Sequence, residues 1–180
     1  SNPKGKGSFG TEIKYKGISL NILFDGQFGG KGYSFTNAML MEHGKHEKTL
    51  SGRYNGIIGD GVIENPDGTY RKNDVVAEEI WTYYTRHGGR ENLEGSMFNT
   101  DFLKLRELTL SYSFPARICK KIGMRKLSVG IYGRDLFMIT NWPAFDPEFG
   151  TLNNGTIDKG FEIAQFPATR NFGVKLNIEF

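Results

Sequence analysis

The sequence predicts an all-β fold that is built from about five long antiparallel strands. Five segments alternate apolar and polar residues, which gives each strand one apolar and one polar face. The connections between these segments are alternately short and long. The composition, with 24 glycines, 14 phenylalanines and 8 tyrosines in 180 residues, suits a sheet protein with many turns. Together these features favour an up-and-down arrangement of strands, as in a β-barrel that crosses a membrane.

The predicted strands follow one another with clear boundaries. They are, in order, residues 9–15, 18–33, 102–114, 126–140 and 167–180. Lys16-Gly17 forms a tight turn between the first two. In the third strand the alternation changes phase between Leu105 and Leu108, which predicts a β-bulge. The last strand alternates without interruption, and about ten residues is the length that a tilted strand needs to cross a bilayer.

The apolar positions of these strands form one consistent set, because no charged residue falls among them. An arginine or lysine that faces lipid near the bilayer midplane costs about 2–4 kcal/mol, so this segregation is what a bilayer requires. A sheet with one face in water would show the same segregation. The residues predicted to face lipid are Ile18, Leu20, Ile22, Phe24, Leu108, Leu110, Tyr112, Leu127, Val129, Ile131, Phe172, Val174, Leu176 and Ile178.

The connections predict which side of a membrane each end of the sheet would occupy. Residues 34–101 and 141–166 form the long connections, whereas 16–17 and 115–125 form the short ones. Outer-membrane barrels have short periplasmic turns and long extracellular loops, so the C-terminus is expected in the periplasm. Within the first long loop we predict a hairpin about Pro66-Asp67-Gly68 and a helix that begins at an N-cap, Asp74.

Several classes of function are excluded or disfavoured by composition. A net charge of +3 is too weak to indicate nucleic-acid binding. The single Cys119 forms no internal disulfide, and no spacing of Cys and His predicts a zinc site. No catalytic constellation emerges, so we predict neither an enzyme nor a cofactor. No secretory signal is apparent behind Ser1, and we therefore expect the chain to be a fragment of an exported protein.

Three groups of residues allow both a structural and a functional interpretation. In the functional interpretation, Trp81 and Trp142 stack on substrate or contact a lid protein. In the structural one, they pack within the loops. The acidic residues of the first long loop invite a calcium site but lack the EF-hand spacing. The basic residues of the second short turn most simply form a solvated surface, and they are Arg117, Lys120, Lys121 and Arg125.

Five motifs resemble a known family when they are read in order along the chain. Phe102–Pro115 (FLKLRELTLSYSFP) is similar to the family's FLKLRELTLSYSLP strand. Gly133–Phe137 is similar to its GRNLF segment, with Asp135 where Asn is usual. The remaining three are Phe28–Ser34 (GGxxYS), Asp146–Glu148 (DPE) and Phe166–Gly173 (YPxTRTFxxG). The chain thereby resembles the C-terminal part of SusC/RagA-type TonB-dependent transporters of the bacterial outer membrane.

The resemblance implies a large plugged barrel of about 22 strands, of which residues 1–180 would form the C-terminal segment without the plug domain or TonB box. It implies TonB-energised import of an oligosaccharide or peptide through the Gram-negative outer membrane. The implied partners are the rest of the barrel and its plug, a SusD-like surface lipoprotein, the TonB complex, outer-membrane lipid and the assembly machinery. It also implies that Phe180 serves as a C-terminal assembly signal.

A second interpretation remains open at the level of sequence. A soluble, secreted β-sandwich would also alternate apolar and polar residues, and its long insertion would serve as a recognition surface. The two interpretations differ in the fate of the apolar faces. A sandwich buries these faces against each other, whereas a barrel turns them outward to lipid.

Overall fold

The computed structural model describes residues 2–149, 151–153, 156–158 and 160–180. Within these residues the secondary structure is mainly β. The strands are β1 (Gly5–Tyr15), β2 (Ile18–Phe28), β3 (Lys31–Ser34), β4 (Ile57–Ile58), β5 (Val62–Glu64), β6 (Tyr70–Lys72), β7 (Val76–Ala77), β8 (Met97–Asn99), β9 (Phe102–Ser113), β10 (Lys126–Thr140), β11 (Thr151–Asn153), β12 (Thr156–Asp158), β13 (Phe161–Glu162) and β14 (Asn171–Glu179). The helices are α1 (Phe35–Glu42), α2 (Ile80–Gly88) and α3 (Ala116–Lys121), with short 3₁₀ turns at Glu47–Leu50 and Glu94–Ser96.

The chain divides into two compact units. The first, the wall unit, comprises Ser1–Lys31, Asn99–Glu148 and Phe166–Phe180. The second, the loop unit, comprises Gly32–Phe98 and Phe149–Gln165. The loop unit contains most of the two long connections predicted over 34–101 and 141–166, but residues 99–101 and 141–148 belong to the wall unit.

The wall unit is one antiparallel sheet with the strand order β1-β2-β9-β10-β14. Each strand pairs with the next long strand in the chain, as in an up-and-down sheet. One row across all five strands is entirely apolar, and it contains Ile13, Leu20, Leu110, Ile131 and Val174. The adjacent row lies on the opposite face and contains Glu12, Asn21, Thr109, Tyr132 and Gly173. The predicted all-β fold of antiparallel strands is therefore confirmed.

The predicted bulge in β9 is present and is centred on Arg106. On the β2 side, Leu23 pairs with Glu107 and the next residue, Phe24, pairs with Leu105, so Arg106 is the extra residue. An extra residue turns two successive side chains toward the same face. Arg106 and Glu107 both lie on the polar face as a result, and Leu105 and Leu108 both keep to the apolar face.

One strand and one helix start differ from those read from the sequence. The segment predicted as a single strand over 18–33 is interrupted at Gly29, whose φ of +79° is readily adopted only by glycine. The helix predicted from Asp74 begins instead at Ile80, so the predicted N-cap is wrong. The Asp74 carboxylate pairs with Arg71, and Val76–Ala77 is extended because it pairs with β4. The predicted hairpin is formed by β5 and β6.

The loop unit has a small core between its two longer helices. Tyr33, Ala38, Met41 and Tyr84 are buried there. The β3 strand lies between β13 and β8 in a three-stranded sheet, and it pairs with β13 in parallel. None of the helices in the described part of the chain is long and apolar enough to cross a bilayer.

A buried carboxylate joins the two segments of the loop unit. Glu162 is fully buried, and its oxygens accept hydrogen bonds from the Ser34 hydroxyl (2.8 Å), the Thr36 amide (3.1 Å) and the Thr36 hydroxyl (2.5 Å). The Gln165 amide donates a fourth at 3.3 Å. Ser34 is also the N-cap of α1, so the carboxylate lies at the positive end of that helix. These bonds hold 161–165 against the start of α1.

Replacing Glu162 by Ala should loosen this attachment, because several buried donors would lose their acceptor at about 1–3 kcal/mol each. We expect the amides of Thr36 and Gln165 to exchange hydrogen at least about tenfold faster, as measured by hydrogen–deuterium exchange of the full-length protein. Glu94→Ala, at an exposed position, is the matched control and should leave both amides unchanged. Unchanged exchange in Glu162→Ala would show that the carboxylate does not hold the two segments together.

Candidate functional site

The apolar face of the wall unit contains all fourteen residues predicted to face lipid. The register places the selected residues of β2, β9, β10 and β14 side by side. Many of them are exposed in this chain, most strongly toward β14, where Val174 is 77% exposed. A continuous apolar surface of this extent marks a contact with something other than water. Contact with lipid itself stays a prediction.

The polar face carries a charge cluster beside the β9 bulge. Its members come from four separate parts of the wall unit, and they are Asp25, Lys104, Arg106, Asp135, Asp146 and Glu148. We call this group the bulge cluster. Charged side chains are rarely buried without partners, so a cluster of this kind fixes the segments that contribute to it.

Lys104 is the most buried cation of the bulge cluster, with a side chain only 3% exposed. Its ammonium donates to both carboxylate oxygens of Asp146, at 2.6 and 2.7 Å, and also pairs with Glu148. It lies 4.8 Å from the centre of the Phe102 ring, which adds a cation–π contact. The Asp146 carboxylate in turn accepts a hydrogen bond from the Glu148 amide at 2.8 Å. The Asp146-Pro147-Glu148 turn is thereby attached to β9.

Arg106 joins neighbouring strands across the polar face. Its guanidinium donates to Asp25 of β2 at 2.8 Å and to Asp135 of β10 at 3.0 Å. A third partner is Glu148, at 2.5 Å. The planar guanidinium carries five donors in a fixed fork, so arginine can hold three carboxylates that a lysine could not orient equally well. The bulge supplies the position from which all three are reached.

Asp135 has an unusual backbone conformation, with a φ of +51°. It lies where the β9–β10 register shifts, between Arg134 and Phe137. Asparagine, aspartate and glycine tolerate this left-handed region better than other residues. This explains in physical terms why the similar GRNLF segment and the GRDLF of this chain differ only by Asn and Asp at the position.

The bulge cluster accounts for three of the motifs that carry the resemblance. Lys104 and Arg106 belong to the strand motif, Asp135 to the GRDLF segment, and Asp146 and Glu148 to the DPE turn. These motifs are visible in the sequence, but their proximity in the fold is not. One signal was available in the sequence: two cations, Lys104 and Arg106, stand at a predicted bulge, and the short acidic motifs that could pair with them follow downstream.

The loop unit contains an open cavity of about 700 Å³ beside α2. Trp81, which is 68% exposed, and Tyr54 line it together with the basic residues Lys45 and Arg53. The Arg53 guanidinium is partly occupied, since it donates to the carbonyls of Gly44 and Thr49. Aromatic faces beside hydrogen-bonding groups are typical of ligand sites.

The other predicted site residues have different surroundings. Trp142 is 6% exposed within the wall unit, so its ring packs there and is not offered to a ligand. Phe180 follows β14 and is exposed, and its part in assembly stays a prediction. The second long loop was predicted over 141–166; residues 150, 154, 155 and 159 lie outside the described residues.

Two acidic residues of the first long loop, Asp67 and Asp74, have partners within the loop unit. Asp67 accepts hydrogen bonds from the hydroxyl and amide of Thr69, and these lower the pKa of its carboxyl. The hydrogen bond from Arg71 likewise lowers the pKa of Asp74. Among the described residues, no three His, Cys, Asp or Glu side chains converge in a metal-binding arrangement.

Comparison with known proteins gives two similar sequences from Formosa agariphila. TonB-dependent receptor P39 is 24% identical over 176 residues, which cover 97% of this chain and 16% of the receptor. TonB-dependent receptor P3 is 25% identical over 176 residues, which cover 96% of this chain and 16% of the receptor. The chain thus spans about one sixth of the length of these relatives. No family model matches the chain.

Solved structures of the RagAB peptide importer share the fold. The closed-closed state superposes with a TM-score of 0.68 at 18% identity, covering 99% of this chain and 17% of the solved one. The open-open state gives a TM-score of 0.63 at 18% identity, with the same coverage. Together with the two sequence relatives, this confirms the resemblance to SusC/RagA-type TonB-dependent receptors.

Replacing Lys104 by Met should release the Asp146-Pro147-Glu148 turn, because Asp146 would lose its buried cation. We expect the full-length protein to lose about 3–5 kcal/mol of stability, measured from urea unfolding in lipid vesicles. Lys126→Met is the matched control; it breaks an exposed pair with Glu179 and should cost no more than about 1 kcal/mol. Equal losses in the two variants would contradict a structural role for the bulge cluster.

Asp135 tests the backbone requirement separately from the charge. We expect Asp135→Val to destabilise the protein by about 1–3 kcal/mol, because a β-branched residue is strained at positive φ. Asp135→Asn should cost less, since it keeps the backbone preference and Arg106 retains two carboxylates. Urea unfolding of both variants measures the difference, and an equal loss would mean that the charge alone matters.

Proposed function

We propose that this segment of a SusC/RagA-type TonB-dependent receptor forms part of the wall of an outer-membrane β-barrel that imports a nutrient with energy from TonB. The observation that supports this most directly is the continuous apolar face of the wall unit, whose fourteen aligned residues are free of charge. The opposite face is polar and carries the bulge cluster. This division matches a strand surface that meets lipid on one side and a polar interior on the other.

The two outer strands support a larger sheet. Within the described residues, β1 pairs only with β2, and β14 pairs only with β10. An unpaired backbone group in lipid costs several kcal/mol, so an open edge is not stable in a bilayer. We therefore propose that both edges pair with further strands of the same barrel, and that the plug and the TonB contact belong to those other parts of the protein.

The connections support an orientation. Because the strands are antiparallel, both short connections lie at one end of the sheet and both long ones at the other. We propose that the short ends lie in the periplasm, together with the end of β14, and that the loop unit lies outside the cell.

The loop unit is the proposed site of contact with the nutrient or with a SusD-like lipoprotein. The solved neighbours are structures of the RagAB peptide importer, which supports a partnered importer with a peptide as cargo, and an oligosaccharide stays the alternative. Trp81, whose exposed ring lines the cavity beside α2, is the residue proposed to contact the nutrient or the lipoprotein. Its flat face suits either an apolar peptide side chain or the apolar face of a sugar.

The location of the native protein tests the proposal directly. An antibody against this region, applied to fractionated cells, should detect a much larger protein in the outer membrane. Its electrophoretic mobility should shift on boiling, as expected for a folded barrel. A 20 kDa band in a soluble fraction would overturn the proposal and favour a secreted β-sandwich.

A charge scan tests which face meets lipid. Ile22→Arg places a cation in the middle of the apolar face and should cost about 2–4 kcal/mol, with a lower outer-membrane yield of the full-length protein. Asn21→Arg, one residue earlier on the polar face, is the matched control and should insert normally. Quantitative blotting of the outer-membrane fraction measures both. Normal insertion of Ile22→Arg would mean that this face does not contact lipid.

A further inference from the structure

The short turn between β9 and β10 carries a dense group of positive charges. It contains the helix α3, and its basic residues are Arg117, Lys120, Lys121 and Arg125. All four are exposed, and none forms an ion pair within the described part of the chain. In the bulge cluster of the same unit, by contrast, both cations are paired. The turn therefore presents concentrated positive charge that the protein itself does not neutralise.

Two isoleucines lie exposed among these charges. Ile118 is 46% exposed and Ile122 is 52% exposed. Ile118 lies in α3 and Ile122 is the C-cap residue that follows it, so the turn exposes two apolar side chains four residues apart. Cys119 anchors the turn from another side, since it is fully buried and its thiol lies 3.6 Å from the Phe114 carbonyl. The helix is held in place while its isoleucines and its cations remain outside.

This turn begins where the apolar face ends. Tyr112 is the last β9 residue of that face, and Leu127 is among the first β10 residues. Fourteen residues, 113–126, separate Tyr112 from Leu127, and they include α3 and its short flanks. A helix at the end of membrane-spanning strands lies at the level of the lipid headgroups.

We propose that the α3 turn binds the phosphate groups of anionic phospholipids in the periplasmic leaflet. This inference rests on the proposed function and its orientation. Ile118 and Ile122 enter the boundary of the acyl region, and the lysines and arginines extend to the headgroup phosphates. This is how amphipathic basic helices bind membrane surfaces, and long basic side chains keep their charge in the polar layer.

A solvated basic surface accounts for the charges but not for the isoleucines. Lysine and arginine alone would keep the turn soluble, and two exposed isoleucines within one short turn oppose that effect. A lipid surface accommodates both groups, because it offers an anionic layer directly above an apolar one. The occupant is therefore a phospholipid, and charge and hydrophobicity both contribute to the contact.

Lipid binding by the full-length receptor tests the inference. The purified protein is titrated with phosphatidylglycerol or with phosphatidylcholine, and the bound lipids are counted by native mass spectrometry. We expect the wild type to prefer phosphatidylglycerol. In Arg117→Gln/Lys120→Gln/Lys121→Gln, each removed charge should weaken phosphatidylglycerol binding about fivefold.

The matched control removes three charges from the loop unit. Lys48→Gln/Lys72→Gln/Arg86→Gln removes one arginine and two lysines at exposed positions, as the test variant does, and should bind phosphatidylglycerol like the wild type. Ile118→Ser/Ile122→Ser should weaken binding with all cations present. Equal binding by the basic-turn variant and the control would overturn the inference, as would full binding by the isoleucine variant.

The same preparations separate this inference from the proposed function. Outer-membrane location and a mobility shift on boiling are scored for every variant before lipid is added. If the wild type lacks both, the proposed function fails. If the wild type and all variants reach the outer membrane and shift on boiling, but none of them prefers phosphatidylglycerol, only the lipid contact fails.

Discussion

The β-bulge at Arg106 is the constraint on which the rest of the wall depends. A strand has a period of two, so one extra residue inverts every side chain beyond it unless the partner strands accommodate it. Here β2 and β10 both adjust their pairing beside the bulge. The apolar positions of β9 consequently stay on one face from Leu103 to Tyr112. The two adjacent charged residues, Arg106 and Glu107, turn together to the other face.

The charges gathered at the bulge also join separate parts of the wall unit. Arg106 connects three strands through Asp25 and Asp135, and Lys104 holds the Asp146-Pro147-Glu148 turn. Burying such charges costs desolvation energy, so the value of the bulge cluster lies in specifying one arrangement. Hydrogen-bonded ion pairs on the polar face therefore hold Asp146-Pro147-Glu148, near the start of the second long connection, in one position.

The sheet could be predicted well from the sequence because a strand with one apolar face alternates apolar and polar residues. The bulge was also visible, as a change in the phase of this alternation. It predicted the loop unit less well. Asp74 resembled a helix N-cap, but Arg71 and the pairing of Val76–Ala77 with β4 decided its environment. The bulge cluster was missed because its members lie up to 123 residues apart in a chain read locally, from Asp25 to Glu148. Glu162 was missed for the same reason: its partners are near Ser34.

The sheet that contains both β3 and β8 has a consequence for how such proteins diversify. These two strands are neighbours, so the first long insertion leaves and re-enters at adjacent points. For the pairing of β2 with β9, the ends of this large insertion are therefore close together, as the ends of a short turn would be. Each doubling of loop length adds only about 0.6 kcal/mol of closure entropy. Material between the two strands is free to lengthen, shorten or change its surface over evolution while the wall keeps its register. Under the proposed function, selection on recognition and selection on membrane insertion can then act on separate stretches of the same gene.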